Sequence, residues 1–397
     1  MAIKSYKGFD KNLRCRGFQY KIGGIYEMDG KIKMRNRGFH ACESPFDVFD
    51  YYTMIDSRFC EVEQDGNISK EDRRTKICSS KIKIKLELKL ADMINLGVEW
   101  LKEITSPEKI KTSIKDNSSG NYAQIGSSGD GAKIGSSGDG AKIGSSGDGA
   151  KIGSSGYGAQ IGSSGYVAKI GSSGDGAKIG SSGYGAQVGS SGNDAQIGSS
   201  GNGAKIGSSG NGAKIGSSGN GAKIGSSGND AQIGSSGDGA KIGSSGYEAK
   251  IGSSGDGAQV GSSGNDAQIG SSGDGAKIGS SGYNAQIGSS GNDAQIGSSG
   301  DGAKIGSSGY GAKISSSGYG AKIDSTGEDC VIMCAGINSV AKASKGSWIT
   351  LSEWSYSEGK QRYIPICVKT EFVDGEKIKA DTYYSLKGGV FVECIND

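Results

Sequence analysis

From Ala123 to Ile323 the chain repeats one nine-residue phrase, Ala-[Lys/Gln]-[Ile/Val]-Gly-Ser-Ser-Gly-x-x, twenty-three times. A strict short period constrains architecture before any single residue is considered, because every copy must fold alike and pack against its neighbours. In each copy a small and a branched apolar residue flank one Lys or Gln. This alternation is typical of a short strand with Ala and Ile on one face. The glycines and the residues after them suit turns.

The repeat therefore predicts a parallel β-solenoid. One strand cannot bury its Ala/Ile face alone, so we expect two nonapeptides per coil, about eleven or twelve coils, and two sheets with Ala and Ile between them. A flexible Gly/Ser linker is the alternative, but a linker would not keep Ile or Val at every ninth position. The phrase resembles the nonapeptide of calcium-binding RTX rolls in length, yet their aspartate column is mostly Gly here. We expect a solenoid that needs no calcium.

Alternate copies would place the outward Lys and Gln residues in two columns. One column largely alternates Gln and Lys, which separates like charges between neighbouring coils. The other is richer in lysine and is the candidate binding strip: Lys133, Lys151, Lys169, Lys205, Lys223, Lys241, Lys277 and Lys313. A purely solvated ladder is the alternative interpretation.

The expected partner is a protein. Nucleic acid is not favoured, because the repeat is close to neutral and contains no arginine to clamp phosphates. A membrane partner is not expected, since no apolar run approaches the length that spans a bilayer. Self-association into a homo-oligomer is left open.

The segments beside the repeat have ordinary globular composition. We expect an N-terminal α+β cap domain over residues 1–112, the solenoid over 113–327 and a β-rich C-terminal cap domain over 328–397, in a mainly β protein. Open solenoid ends expose strand edges and apolar core, which folded ends can cover. Patterning predicts helices starting at Ser44-Pro45 and over 91–104, strands over 59–63 and 81–88, and C-terminal strands over 347–351, 363–373, 377–386 and 390–394.

His40 is the single histidine and invites a catalytic or metal-binding interpretation. With Cys15, Cys42 and Cys60 it could form a zinc site, but the spacings match no standard ligand pattern. His40 and Cys42 could form a nucleophile pair, yet no orienting partner is evident. A half-buried strand end is the simpler interpretation. We expect no catalytic residue, no metal and no cofactor.

Composition points to an intracellular protein. Lys plus Arg number 45 against 42 Asp plus Glu, which is neither the excess of a nucleic-acid binder nor that of an acidic mimic. The eight cysteines are irregularly spaced, and no apolar leader follows Met1. Reduced thiols are therefore more consistent than a disulfide framework.

The N-terminal phrases Tyr6-Lys7-Gly8-Phe9-Asp10, Gly38-Phe39-His40-Ala41-Cys42 and Pro45-Phe46-Asp47-Val48-Phe49 resemble an uncharacterised domain of phage and prophage proteins. In those proteins glycine-rich short repeats often follow this domain. The resemblance implies a phage or mobile-element origin in a bacterium and no particular reaction. A fainter similarity is to the ADP-ribosyltransferase core, where Lys7 stands at the place of a His or Arg and no convincing catalytic Glu is present.

Together these observations predict a non-enzymatic, phage-derived β-solenoid that acts as a binding or scaffold protein in the bacterial cytoplasm. Its expected role is to bind and inhibit a host factor, for example one of a defence system. Two alternatives are a structural spacer in a virion or fibre, and an N-terminal domain with ADP-ribosyltransferase-like activity.

Overall fold

A computed structural model describes residues 2–53, 57–71, 75–105, 117–118 and 120–394. The chain forms two compact units. The first unit comprises Met1–Ile215 and Lys223–Gly228, and the second comprises Gly216–Ala222 and Asn229–Asp397.

The first unit begins with a small α+β domain of antiparallel strands and two helices. Strands β1, β5, β7 and β6 pair in a closed ring, and β4 adds to the β7 edge. The long β6–β7 pair bends through register shifts at Glu61/Val62 and Asp65/Ile68, as β-bulges do. The elements are β1 (Ile3–Phe9), β2 (Arg14–Cys15), β3 (Phe18–Gln19), β4 (Ile25–Glu27), β5 (Phe39–Cys42), α1 (Pro45–Val48), β6 (Arg58–Lys70), β7 (Lys76–Leu88) and α2 (Leu90–Thr105).

Two apolar clusters form the core of this domain. One lies between the helices and the sheet and includes Phe46, Phe59 and Met93, while the other includes Phe9 and Ile82. Each fully buried side chain of this size stabilises the fold by roughly 1.5–3 kcal/mol. Both predicted helices are confirmed.

The nonapeptides of the first unit form four-residue parallel strands in two sheets. Residue i pairs with residue i+18, as Lys133 does with Lys151, which confirms two nonapeptides per coil. We call the lysine-rich sheet the docking sheet and the other the facing sheet. The docking sheet contains Lys133–Ser136, Lys151–Ser154, Lys169–Ser172, Gln187–Ser190, Lys205–Ser208 and Lys223–Ser226, and the facing sheet contains Gln124–Ser127, Lys142–Ser145, Gln160–Ser163, Lys178–Ser181 and Gln196–Ser199.

The interior of the solenoid is filled by three residues of each copy rather than two. Ala150, Ile152 and Ser154 of one copy are all buried, because alternate residues of an extended chain face the same side. The Ala and Ile positions were predicted. The inward serine was not, since a Gly-Ser-Ser-Gly segment is typical of a turn.

In the second unit the solenoid continues beyond the last regular repeat. Val331–Cys334 pairs in parallel with Lys313–Ser316, and the start of Trp348–Ser357 pairs with Val331–Cys334. The solenoid thus covers about 13 turns over residues 124–351. Coiling persists because Ile332 and Cys334 keep apolar residues at inward positions after the glycines are lost.

The second unit also has two sheets. One contains Lys241–Ser244, Gln259–Ser262, Lys277–Ser280, Gln295–Ser298, Lys313–Ser316, Val331–Cys334, Trp348–Ser357 and Arg362–Phe372. The other, which we call the groove sheet, contains Gln232–Ser235, Lys250–Ser253, Gln268–Ser271, Gln286–Ser289, Lys304–Ser307, Lys322–Ser325, Val340–Ala343, Tyr384–Lys387 and Val390–Glu393.

The C-terminal segment adds antiparallel strands, and a short 3-10 helix (Glu358–Lys360) connects two of them. The predicted strand over 377–386 is wrong for most of its length, since only Tyr384–Lys387 is extended. The Asp374 carboxylate instead accepts the N–H groups of Glu376 and Ile378 and holds a turn. The mainly β solenoid with an α+β N-terminal domain and a β-rich C-terminal segment is confirmed. The predicted boundary at 112/113 lies outside the described residues.

Candidate functional site

The predicted lysine strip of the first unit lies on the docking sheet, and α2 packs along it. Lys133, Lys151, Lys169, Lys205 and Lys223 are half-buried, whereas the lysines of the facing sheet are exposed. The alternation of copies therefore predicted the common face of these lysines correctly. That face is covered by the N-terminal domain of the same chain.

Two of the strip lysines form ion pairs with acidic residues of α1 and of the turn that follows it. Lys205 Nζ lies 2.9 Å from an Asp50 oxygen and also pairs with Asp47, while Lys223 pairs with Asp50. Burial acts to lower the pKa of Lys205, but Asp47 and Asp50 outweigh burial and hold that pKa above its ordinary value. These lysines therefore serve the docking of the N-terminal domain.

Lys169 has a different partner. Its Nζ lies 5.1 Å from the centre of the Trp100 ring on α2, a cation–π contact. Burial lowers the pKa of Lys169. The remaining strip residues belong to the second unit, where Lys241 is half-buried and Lys277 and Lys313 are exposed.

Three apolar side chains of the N-terminal domain rest on three consecutive glycines of the docking sheet. A Cβ added to Gly225 would lie 2.9 Å from Ile94, and one added to Gly189 would lie 2.8 Å from Leu101. A Cβ at the middle glycine, Gly207, would overlap the Phe46 ring. The outward glycine column is thus a groove into which large side chains fit because no Cβ occupies it.

The spacing of α2 matches the spacing of the coils. Ile94 and Leu101 are seven residues apart, about 10.5 Å along a helix, and the glycines beneath them are two coils apart, about 9.6 Å. Phe46 reaches the middle glycine beside Gly97, where a Cβ would lie 2.6 Å from the ring. Sequence reasoning missed this arrangement, although the heptad spacing of Ile94 and Leu101 was visible.

The groove sheet of the second unit carries an equivalent glycine column that is open. Gly216, Gly234, Gly252, Gly270, Gly288 and Gly306 line a shallow cavity of about 1010 Å³ together with the serines beside them. A Cβ added to Gly234, Gly252 or Gly270 would meet no atom within 4 Å. The groove ends at Asp324, whose carboxylate pairs with Lys342 at 3.1 Å.

The N-terminal domain contains a separate cleft of about 1520 Å³, lined by residues of β1, β5 and the β2–β3 hairpin. His40 lies in it, and its Nε2 accepts the N–H of Arg35 at 3.0 Å. Burial and the nearby cations Lys76, Lys7 and Arg16 lower the pKa of His40. The cleft is therefore a positively charged environment.

The cysteines considered above as catalytic or zinc-binding residues lie in two different environments. Cys42 and Cys60 are buried, and burial raises the pKa of each thiol to about 12, which suppresses the thiolate that nucleophilic attack requires. Cys15 instead lies in the cleft, 3.1 Å from the Tyr52 hydroxyl. Within the described ranges, no three His, Cys, Asp or Glu side chains converge on a position that could hold a metal.

No helix among residues that the structure describes is both long enough and apolar enough to cross a membrane. By fold the chain is a β-solenoid protein with an α+β domain docked on its flank. A family model described as a domain of unknown function (DUF7666) matches residues 3–96, the segment whose phrases resemble an uncharacterised domain. No curated protein and no solved structure matches the chain.

Proposed function

We propose that this protein is a non-enzymatic binding and scaffold protein, and that the open glycine groove of the second unit holds an α-helix of a protein partner. The observation that carries this proposal is internal to the molecule. In the first unit, the same [Lys/Gln]-[Ile/Val]-Gly-Ser phrase already holds a helix, with Ile94 and Leu101 of α2 seated on its glycines.

The docked helix α2 indicates which sequence pattern the partner helix should have. It should be amphipathic, with a large apolar side chain at every seventh position, because that spacing spans two coils. Acidic residues beside this stripe would meet Lys250 and Lys304, which flank the groove. The six glycines span five coil intervals, about 24 Å, which is also the length of a 16-residue helix.

The open glycines are not required by the solenoid itself. The second glycine of a Gly-Ser-Ser-Gly segment stacked on a preceding coil is required, since a Cβ on Gly255 would overlap the carbonyl of Gly237. At Gly252 or Gly270 a side chain would fit, and a β-branched one would favour the strand. Glycine inside a strand often marks a close approach by another molecule. In the groove, the approaching molecule would be the helix of the partner.

The identity of the partner follows from the sequence resemblance rather than from the groove. A phage or prophage origin, suggested by the N-terminal phrases, makes a bacterial host protein the expected partner. Binding would then occur in the bacterial cytoplasm and inhibit that protein, for example a defence factor.

A labelled peptide of residues 88–105 tests the groove on the full-length protein by fluorescence anisotropy. We expect saturable binding that weakens at least tenfold in a Gly252→Val, Gly270→Val double variant, whose side chains fill the groove without clashing. The control is Tyr283→Val, an exposed turn substitution in the same unit. Equal binding by the double variant and the wild type would contradict the proposal.

If the peptide binds as expected, cross-linking in bacterial lysate with the same variants would identify the natural partner.

Two other functions have their own tests. A virion or fibre spacer would exploit the repeated coils alone, and detection in purified phage particles would favour it. An enzyme in the N-terminal domain would use the cleft, and loss of function in His40→Ala with unchanged thermal stability would favour that. The Nε2 atom of His40 is already hydrogen-bonded to Arg35, and Cys42 is buried, so the geometry favours binding.

A further inference from the structure

Lys7 is a buried cation in the middle of β1, only 6% exposed, and it lines the N-terminal cleft. Its Nζ donates to the His40 carbonyl oxygen at 3.0 Å and lies 3.5 Å from Cys15 Sγ. Among the side chains that the structure describes, no carboxylate forms an ion pair with it. Burial accordingly lowers the pKa of Lys7.

The acidic side chains of the cleft are engaged elsewhere. The Asp10 carboxylate accepts the N–H groups of Asn12 and Arg14 at 2.9 and 2.7 Å, closing a turn. Glu27 pairs with Lys81 at 3.2 Å. Because six Lys and Arg residues line the cleft against only these two acids, it keeps an excess of positive charge.

An aromatic wall adjoins this cation. The rings of Phe18, Tyr20 and Tyr26 contact one another with centroids 4.8 to 5.5 Å apart. Phe9 connects the wall to the cation, since its ring lies 5.1 Å from the Tyr20 ring and 5.3 Å from Lys7 Nζ. Phe18 is half exposed at the mouth of the cleft.

We propose that this cleft binds a small phosphate monoester that carries a flat ring, with the phosphate on Lys7 and the ring on the Phe18–Tyr20–Tyr26 wall. Arg16 and Lys76 lie at the same cleft and add to the positive potential that attracts a dianion. The site is distinct from the glycine groove and does not depend on the scaffold role.

The cost of burying the Lys7 ammonium links ligand binding in this cleft to the thermal stability of the protein. A buried ammonium without a counterion is costly, and a bound phosphate would offset that cost. Replacing Lys7 by methionine keeps an unbranched chain of similar length and removes the charge. The free variant should therefore melt at a higher temperature than the wild type while losing the ligand.

The test uses the full-length protein with phenyl phosphate, and with inorganic phosphate and phenol as the two half-ligands, by calorimetry and thermal melting. We expect phenyl phosphate to bind at least tenfold more tightly than either half-ligand and to raise the melting temperature. Lys7→Met should weaken this binding at least tenfold and melt higher in the free state. Lys11→Met, an exposed change outside the cleft, should bind like the wild type.

Three results would overturn the proposal: no binding of phenyl phosphate by the wild type, unchanged binding by Lys7→Met, or a lower melting temperature of free Lys7→Met. The last result would show that Lys7 stabilises the domain and is structural.

Discussion

At the scale of single residues, glycines of one nonapeptide have different roles. Gly138 is required by packing, because a Cβ there would overlap the carbonyl of Gly120 in the neighbouring coil. The outward glycines are required only where something rests on them. Gly207 lies under the Phe46 ring, whereas a Cβ at Gly198 would meet no atom within 4 Å.

This difference predicts opposite outcomes for one substitution at two sites in the first unit. Gly207→Val should destabilise the docked N-terminal domain by about 1–3 kcal/mol, because the new side chain competes with Phe46 for the same space. Gly198→Val should be neutral or slightly stabilising, since it fills open space and favours a strand. Hydrogen exchange of α2 and thermal melting measure both effects, and equal behaviour of the two variants would contradict the docking geometry.

At the scale of the secondary-structure element, the turns between strands are joined by a ladder of side-chain hydrogen bonds. Asp256 Oδ1 accepts the N–H of Asp274, eighteen residues on, at 2.9 Å, and Asp274 Oδ1 accepts the N–H of Asn292 at 2.8 Å. The sequence showed only that Asp, Asn and Tyr share this column. The structure shows that Asp and Asn provide an acceptor to the next coil.

Loss of one acceptor in this ladder should be measurable. Asp256→Ala should lower the free energy of unfolding by about 1 kcal/mol, because the Asp274 N–H loses its partner. Asp256→Asn keeps an Oδ1 acceptor and should cost less. Urea unfolding of the two variants beside the wild type provides the comparison, and an Asn variant as unstable as the Ala variant would point to charge rather than hydrogen bonding.

At the scale of the first unit, docking of the N-terminal domain depends on a small charge cluster. Burial acts to raise the pKa of the Asp50 carboxyl, but Lys205 and Lys223 outweigh burial and hold it below its ordinary value. Its contribution is therefore complete above the ordinary aspartate pKa, about 3.9, and is lost as the pH falls through the lowered value. The raised pKa of Lys205 has the opposite sign, so its contribution is lost only in strong alkali.

Docking should consequently be insensitive to pH between about 5 and 9 and should weaken on acidification below about 4. Hydrogen exchange of α2, corrected for the intrinsic pH dependence of exchange, measures this. Asp50→Asn should show weaker protection at neutral pH and a smaller loss in acid. Unchanged protection of α2 in that variant would show that the apolar contacts alone hold the domain.

The sequence by itself determined the solenoid, the two-copy coil and the inward Ala and Ile residues, because a nine-residue period with strand alternation expresses them locally. It also placed the strip lysines on one face. It did not reveal the inward serine, because Gly-Ser-Ser-Gly has the composition of a turn whether or not its first serine continues the strand.

Only the tertiary structure decided which face of the solenoid is covered and which is open. The repeats carry nearly the same phrase on both sheets, so no local pattern distinguishes Gly207 from Gly198. The distinction comes from Phe46, Ile94 and Leu101, and from the pairing of Lys205 with Asp50 across 155 residues of chain. The cleft around Lys7 has the same origin, since β1, β5 and the β2–β3 hairpin meet only in the folded domain.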